Sequence, residues 1–138
     1  MSNIELLEKT LPVAPLKIVA MESCRELGQK VNDYIVSFRE NTVSEASVSS
    51  LYVNYRSNNY LVDCCCPRFG TGEAKGVLRE TIRGTDLFIM TDVCNYSLTY
   101  SVSGHLNHMS PDDHFQDLKR IISAATGKAH RINVIMPF

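Results

Sequence analysis

The chain has 138 residues, of which 44% are hydrophobic and 21% are charged, and its formal net charge is −1. This length fits one domain whose core is large enough to fold without a disulfide or a structural metal. The balanced charge argues against a general nucleic-acid binder, because neutralising a phosphate backbone needs a basic excess. No segment approaches the ~20 apolar residues of a membrane span, and the acidic N-terminus is unlike a signal peptide. We therefore expect one cytoplasmic domain over residues 1–138 with reduced cysteines.

The first half of the sequence predicts a strand, a helix and two further strands. Residues 17–21 are apolar and β-branched, which indicates a buried strand. Ser23 and Glu26 have the spacing of a capping box at the start of a helix. Residues 51–55 alternate apolar and polar, and residues 60–66 form another strand candidate. The predicted helix carries one apolar stripe, made of Cys24, Leu27, Val31, Ile35 and Phe38.

The second half begins with weaker signals and then gives a clear strand. Residues 77–82 fit either a strand or a short helix, since periodicity does not decide between them. Residues 83–86 indicate a turn, and the apolar run 87–90 indicates a central strand. Residues 95–110 are polar and are expected to be irregular.

A second helix and a last strand follow. Ser110 is a typical N-cap, Pro111 suits the first helical position, and Asp112 and Asp113 favour the positive end of the helix dipole. Gly127 and Lys128 mark its end, and residues 132–136 predict the last strand. The buried stripe of this helix comprises Phe115, Leu118, Ile121, Ile122 and Ala125.

Short apolar strands separated by amphipathic helices predict an α/β domain with a mainly parallel sheet. Ligands of such sheets bind beyond the carboxyl ends of the strands. Here those ends fall near residues 21–23, residues 91–95 and Phe138. Because the third of them coincides with the last residue of the sequence, we expect the binding site to be incomplete within these 138 residues.

Three adjacent cysteines, Cys64 to Cys66, lie on a predicted strand, where alternate side chains share a face. Packing in the core is the favoured interpretation, because buried thiols behave as small apolar groups. A zinc site with His105, His108 and His114 is the lesser alternative, since the ligand spacing is wrong for structural zinc. The histidines are expected to be surface groups. Cys94 with His105 is a still weaker candidate for a nucleophile pair.

The glycine-rich stretch 70–76 matches neither a dinucleotide fingerprint nor a P-loop, and a hairpin turn is the favoured interpretation. Lys75, Arg79 and Arg83 lie close to it in sequence and could bind phosphate, but this pattern alone decides nothing. A metal-binding role for Asp112 and Asp113 is disfavoured, because the helix dipole already explains both carboxylates.

Residues 68–90 resemble a segment of the ribose-phosphate pyrophosphokinases, also called phosphoribosyl pyrophosphate synthetases. The resemblance rests on Arg68-Phe-Gly-Thr-Gly-Glu, on Glu80-Thr-Ile-Arg-Gly-Thr-Asp and on the apolar strand that follows. The ending Arg131-Ile-Asn-Val-Ile-Met-Pro-Phe and residues 17–30 are similar to family segments as well. Together these segments cover roughly half of the chain in the family's order.

This resemblance implies a three-layer α/β/α domain of the phosphoribosyltransferase type, with a mainly parallel sheet and a protruding β-hairpin. It implies a Mg²⁺-dependent transfer of diphosphate from ATP to ribose 5-phosphate, in a homodimer or higher homo-oligomer. By position in the family motif, Phe69, Thr71 and Glu73 would contact adenine, although Thr71 replaces the usual Asp or Asn. Thr81 and Arg83 would belong to a regulatory phosphate site.

The sequence also departs from the family. It carries extra residues around 40–58 and 95–110, and it lacks the family's Arg-Gln loop, metal segment and Thr-Gly-Gly ribose-phosphate loop. No catalytic or metal-binding residue is therefore assigned, and those residues are expected beyond Phe138. We expect the N-terminal domain of a longer enzyme, inactive alone, with Mg²⁺ and ATP acting in the parent protein. The alternative is a non-catalytic regulatory or nucleotide-binding homologue.

Overall fold

The computed structural model describes residues 12–42 and 57–138, so the predicted strand at 51–55 lies outside the described residues. The described chain alternates helices and strands, as an α/β domain does. In these segments no helix combines the length and the hydrophobicity needed to cross a membrane. The elements in chain order are β1 (Leu16–Ala20), a 3-10 helix (Glu22–Cys24), α1 (Arg25–Thr42), β2 (Cys64–Cys65), β3 (Val77–Leu78), β4 (Asp86–Met90), β5 (Thr99–Val102), β6 (His105–His108), α2 (Pro111–Ala125) and β7 (Arg131–Ile135).

A parallel sheet of three strands, in the order β1–β4–β7, organises the domain. β4 is its central strand and pairs with β1 from Asp86 opposite Leu16, and with β7 from Asp86 opposite Arg131. The three strands predicted at 17–21, 87–90 and 132–136 are thus confirmed within one residue at each end. β2 pairs with β3 and β5 with β6 in two separate antiparallel pairs.

The core consists of two apolar clusters that share the strands of this sheet. The first contains Val19 and Leu87 together with residues of α2, and the second contains Ile18 and Met90 together with residues of α1. Because neighbouring residues of a strand point to opposite faces, the clusters lie on opposite sides of the sheet. The complete three-layer architecture and the protrusion of a hairpin remain predictions.

The start of α2 confirms the predicted cap. Ser110 Oγ accepts a hydrogen bond from the Asp113 amide (3.1 Å), and Asp113 Oδ2 accepts one from the Ser110 amide (2.9 Å). This reciprocal pair satisfies two amides that the first helical turn would leave without partners. The helix ends at Ala125, and Gly127 follows with a φ of 76°, as its position predicts.

The predicted capping box at Ser23 is wrong. Residues 22–24 form a 3-10 helix capped at Met21 without a side-chain hydrogen bond, and α1 begins only at Arg25. Ser23 Oγ instead accepts a hydrogen bond from the Asp92 amide (3.0 Å), which lies 69 residues away. The spacing to Glu26 was therefore coincidental, because a long-range backbone donor occupies this hydroxyl.

The prediction of irregular structure at 95–110 is also wrong. β5 and β6 form an antiparallel hairpin, with Thr99 opposite His108 and Val102 opposite His105. Ser103 and Gly104 connect them with φ values of 52° and 80°. Two successive residues with positive φ are typical of the tight turns whose twist suits a hairpin. The strands are polar because most of their side chains are exposed.

Residues 60–66 form a shorter strand than predicted. Only Cys64 and Cys65 pair with β3, although the Tyr60 carbonyl and the Val62 amide bond the backbone of Ile18 at the outer edge of β1. The ambiguous segment 77–82 resolves into the two-residue strand β3 and is not helical.

Candidate functional site

The carboxyl ends of the three parallel strands meet at one edge of the sheet. The Met21 amide donates to the Met90 carbonyl (3.0 Å), and the Thr91 amide donates to the Ile135 carbonyl (3.1 Å), so the loops leave the sheet side by side. An open cleft of about 820 Å³ lies there, and Ser23, Asn95 and Phe138 are among its lining residues. This places the segments that the sequence assigned to the strand ends next to one another.

Residues 68–74, called here the Phe69 turn, close a tight loop between β2 and β3. Arg68 and Ala74 form an isolated antiparallel bridge, and the Phe69 amide donates to the Glu73 carbonyl (2.7 Å). The Gly72 amide donates to the Phe69 carbonyl (2.9 Å), and Gly72 has a φ of 90°. A positive φ at this position favours glycine, so the glycine-rich sequence is explained by a turn, as predicted.

The side chains predicted to contact adenine lie on the surface of this turn. The Phe69 ring is 52% exposed, and Thr71 and Glu73 are exposed as well. An aromatic ring left in water on a fixed backbone can stack on a flat ligand without first unpacking from a core. The structure thus brings Phe69, Thr71 and Glu73 into one short turn; their contact with adenine remains a prediction.

A buried ion pair anchors the turn to α2. Both terminal nitrogens of Arg68 donate to the two carboxylate oxygens of Asp117, each at 2.9 Å. The side chains are only 9% and 7% exposed. Arg120 Nη1 adds a third hydrogen bond to Asp117 at 2.6 Å, and the Arg68 guanidinium lies 4.6 Å from the centre of the Tyr100 ring. Two-pronged pairing of this kind fixes both the position and the orientation of Arg68.

A small cavity of about 80 Å³ lies behind the turn and is lined by Cys64, Cys66, Arg68, His114 and Asp117, among others. Pockets for nucleotides and similar ligands have volumes of about 300–1,000 Å³. This cavity is therefore too small to hold one.

The cysteines pack as the favoured interpretation predicted. Cys64 and Cys66 point into the first core cluster, whereas Cys65 faces the Arg79 side chain (Nη2 to Sγ, 3.7 Å). Burial raises the pKa of the Cys64 thiol to about 11 and that of the Cys66 thiol to about 12. Since thiolates are the reactive and metal-binding form of cysteine, the raised pKa disfavours that form of both groups at neutral pH.

The zinc alternative loses its geometric basis. Within residues 12–42 and 57–138, no group of three or more His, Cys, Asp or Glu side chains could hold a metal ion. His105 and His108 are exposed on β6, as predicted, but His114 is buried, so its assignment as a surface group is wrong. Its Nε2 lies 2.7 Å from the Asn95 carbonyl, which satisfies the buried ring. Cys94 and His105 share no hydrogen bond in the described chain.

The basic residues near the turn, Lys75, Arg79 and Arg83, are all exposed. Arg79 Nε lies 3.3 Å from Asp63 Oδ2, which partly neutralises its charge. Thr81 and Arg83 are both exposed, and Thr81 Oγ1 accepts a hydrogen bond from the Arg83 amide (3.4 Å). The hydroxyl and the guanidinium that the family motif assigns to phosphate therefore lie two residues apart on the surface. Their binding of phosphate remains a prediction.

Two residues of this region were missed by sequence reasoning. Tyr100 lay in a segment expected to be irregular, and Asp117 was assigned no role, although Arg120 lies three residues further along α2 as a local partner. The sequence holds one signal for Asp117, which is its position next to Leu118 on the predicted buried stripe of α2. A carboxylate that is buried there needs a charged or hydrogen-bonding partner. The spacing of three residues points to Arg120 as one partner, but no local pattern shows that Arg68, 49 residues away, is the other.

Comparison with known proteins agrees with this architecture. The family model that describes the N-terminal domain of ribose phosphate pyrophosphokinase matches residues 16–138, from the first residue of β1 onwards. The chain therefore belongs to the ribose phosphate pyrophosphokinase family, whose members are transferases. A search of curated proteins finds no match.

Proposed function

We propose that this chain is the ATP-side domain of an enzyme that transfers diphosphate from ATP to ribose 5-phosphate, forming phosphoribosyl pyrophosphate for nucleotide biosynthesis. Family membership supports the reaction class. The observation that carries the assignment of the ATP side is the Phe69 turn, which holds an exposed aromatic ring between backbone hydrogen bonds on both sides. The proposed adenine contacts are Phe69, Thr71 and Glu73.

The chemistry of these three side chains suits a purine base. A ring such as that of Phe69 stacks on either face of adenine, and base–aromatic stacking contributes about 1–3 kcal/mol. The carboxylate of Glu73 accepts hydrogen bonds and so complements the exocyclic amine of adenine, while the Thr71 hydroxyl both donates and accepts. Because the turn is already closed, little ordering cost opposes binding.

The described residues of this chain provide no magnesium site built from protein side chains alone. No cluster of three donor side chains lies among residues 12–42 and 57–138. Mg²⁺ keeps several waters and commonly binds through substrate phosphates. We therefore propose that it arrives as the complex with ATP, and that the cationic groups which stabilise the transferring phosphoryl group lie outside the described residues. For the same reason we propose that the chain alone has no diphosphokinase turnover.

Three further assignments belong to this proposal. Thr81 and Arg83 form an exposed regulatory phosphate site. The protein acts as a homodimer or higher homo-oligomer, in which the Phe69 turn, as a protruding hairpin, completes the active site of a neighbouring subunit. The five cysteines are all free, which suits the reducing cytoplasm and is the basis for placing the protein there.

The complete gene product tests the proposal. We expect phosphoribosyl pyrophosphate to form from ATP and ribose 5-phosphate in the presence of Mg²⁺, with no product from residues 1–138 alone. Measurable formation of phosphoribosyl pyrophosphate by those 138 residues would contradict the proposal that the catalytic groups lie outside them. No formation by the complete protein would contradict the enzymatic function.

A second candidate is a regulatory homologue that keeps the fold and binds nucleotide or a partner enzyme. Thr71 favours it, because the family's usual Asp or Asn is missing at that position, and so does the hairpin β5–β6 in the inserted segment. The coding sequence beyond Phe138 distinguishes the two. An Arg-Gln loop followed by an Asp-Asp-x-x-x-Thr-Gly-Gly loop supports the enzyme, and their absence supports the regulator.

A further inference from the structure

The hairpin β5–β6 contacts the Phe69 turn at two points. Near its middle, the Tyr100 ring lies against the Arg68 guanidinium, 4.6 Å from ring centre to Cζ. At its tip, Ser103 Oγ donates to the Gly70 carbonyl at 3.4 Å. The contacts flank Phe69, because they engage the residue on either side of it in sequence. A displacement of the hairpin would therefore disturb the backbone on both sides of Phe69.

These contacts are distinct from the packing that stabilises the domain. In the described part of the chain, no residue of β5 or β6 belongs to either apolar core cluster. The pairing of the two strands is satisfied within the hairpin itself, from Thr99 opposite His108 to Val102 opposite His105. Loss of the hairpin's contact with the turn should thus leave the three-stranded sheet intact.

Arg68 transmits the position of the hairpin to Phe69. Its guanidinium is fixed on one side by the Asp117 carboxylate and is in contact with the Tyr100 ring. A guanidinium that has lost most of its water interacts more strongly with an aromatic face than an exposed one does, and the Arg68 side chain is mostly buried. Since Phe69 is the next residue and its amide donates to the Glu73 carbonyl, its backbone has little freedom once Arg68 is fixed.

We propose that Tyr100 is a positioning residue, and that β5–β6 is a brace which holds the Phe69 turn in a binding-competent shape before any ligand arrives. What the turn binds rests on the proposed function; the bracing itself does not. A preformed turn binds its ligand more tightly than a mobile one, because less conformational freedom is lost on binding.

Amide hydrogen exchange of the 138-residue chain, measured by NMR, tests the brace without any ligand. Tyr100→Leu keeps an apolar side chain but removes the aromatic face, and Tyr100→Phe keeps the face. Leu106→Ala is the matched control on the paired strand, where the side chain is 72% exposed. We expect the Phe69 and Gly72 amides to exchange about tenfold faster in Tyr100→Leu, with Tyr100→Phe and Leu106→Ala like the wild type.

The amides of β4 report whether any change is local. Unchanged exchange at Phe69 and Gly72 in Tyr100→Leu would overturn the proposal. So would an equal acceleration in β4, because it would mean that Tyr100 stabilises the whole domain rather than the turn. A failure of Tyr100→Phe to restore protection would contradict the role assigned to the ring.

A kinetic measurement separates this proposal from the proposed function. In the complete gene product, Tyr100→Leu should raise KM for ATP several-fold and leave kcat nearly unchanged, while Tyr100→Phe restores KM. Faster exchange with an unaltered KM would support the brace and contradict adenine binding by the turn. Unaltered exchange would overturn the brace whatever the kinetics show.

Discussion

Replacing Asp117 by Asn tests the anchor beneath the Phe69 turn. The carboxylate accepts three hydrogen bonds, two from Arg68 and one from Arg120, and it is buried. A neutral amide cannot compensate the guanidinium of Arg68, whose side chain is only 9% exposed. Removing one partner of a buried ion pair costs about 3–5 kcal/mol, because the other charge is left buried and uncompensated.

This loss is large compared with the ~5–15 kcal/mol by which ordinary domains are stable. We expect the free energy of unfolding in urea to fall by about 3–5 kcal/mol in Asp117→Asn, and Tm to fall by about 10–20 °C. Asp112→Asn is the matched control, since that carboxylate is exposed on the first turn of the same helix. It should lose no more than about 1 kcal/mol.

A double variant tests whether the loss of stability comes from the uncompensated charge. Arg68→Met combined with Asp117→Leu removes both members of the main pair, so no charge in it is left without its partner. We expect it to be less destabilised than Asp117→Asn, since apolar replacement of a buried pair is often close to neutral. An Asp117→Asn variant that loses less than about 1 kcal/mol would refute the argument that burial makes this pair costly to break.

Three more predictions follow from packing, titration and thiol burial. Gly76→Ala should destabilise the domain by about 1–3 kcal/mol, because a Cβ there would lie 2.5 Å from the Arg120 carbonyl oxygen. Gly70→Ala is the control in urea unfolding, because a Cβ at that position meets nothing within 4 Å. Equal losses of stability in the two variants would contradict this explanation. The hydrogen bond from Arg131 holds the pKa of Asp86 below its usual value. The ionised Asp86 therefore stabilises the domain above pH ~4, and this stabilisation is lost as the pH falls through the lowered pKa. Asp86→Asn should lose stability less steeply on acid unfolding, and an unchanged slope would contradict this role of Asp86. A thiol reagent at pH 8 should modify the exposed Cys94 first and should reach Cys64 and Cys66 only on unfolding, because burial raises the pKa of the Cys64 and Cys66 thiols. Rapid labelling of Cys66 in the folded protein would show that this packing is wrong.

Local signals in the sequence were enough for the main sheet and for α2. The strands at 17–21 and 87–90 are short apolar runs, and burial on both faces of a parallel sheet requires that composition. The run at 132–136 was recognised by the same apolar composition, although much of β7 is exposed. The cap at Ser110 is equally local, because all its partners lie within three residues. The glycine-rich turn follows the same rule, since Gly72 needs a positive φ.

Errors arose where a distant partner determines the structure. Ser23 has the spacing of a cap, but its hydroxyl accepts from an amide 69 residues away. His114 looked like a surface group, but the Asn95 carbonyl satisfies its ring inside the domain. The pairing of Arg68 with Asp117 spans 49 residues, and no local pattern specifies it. The hairpin β5–β6 was missed because its strands are polar and largely exposed, so their apolar alternation is weak.

The central claim is that the exposed ring of Phe69 contacts the adenine of ATP. The most direct test is KM for ATP in the complete gene product, comparing Phe69→Ala with Tyr96→Ala, whose ring is also exposed (64%) but lies outside the turn. The account predicts that Phe69→Ala raises KM by about 5–150-fold, the equivalent of the ~1–3 kcal/mol of base stacking, while Tyr96→Ala leaves it unchanged. An unchanged KM in Phe69→Ala, or a complete protein that forms no phosphoribosyl pyrophosphate, would contradict it.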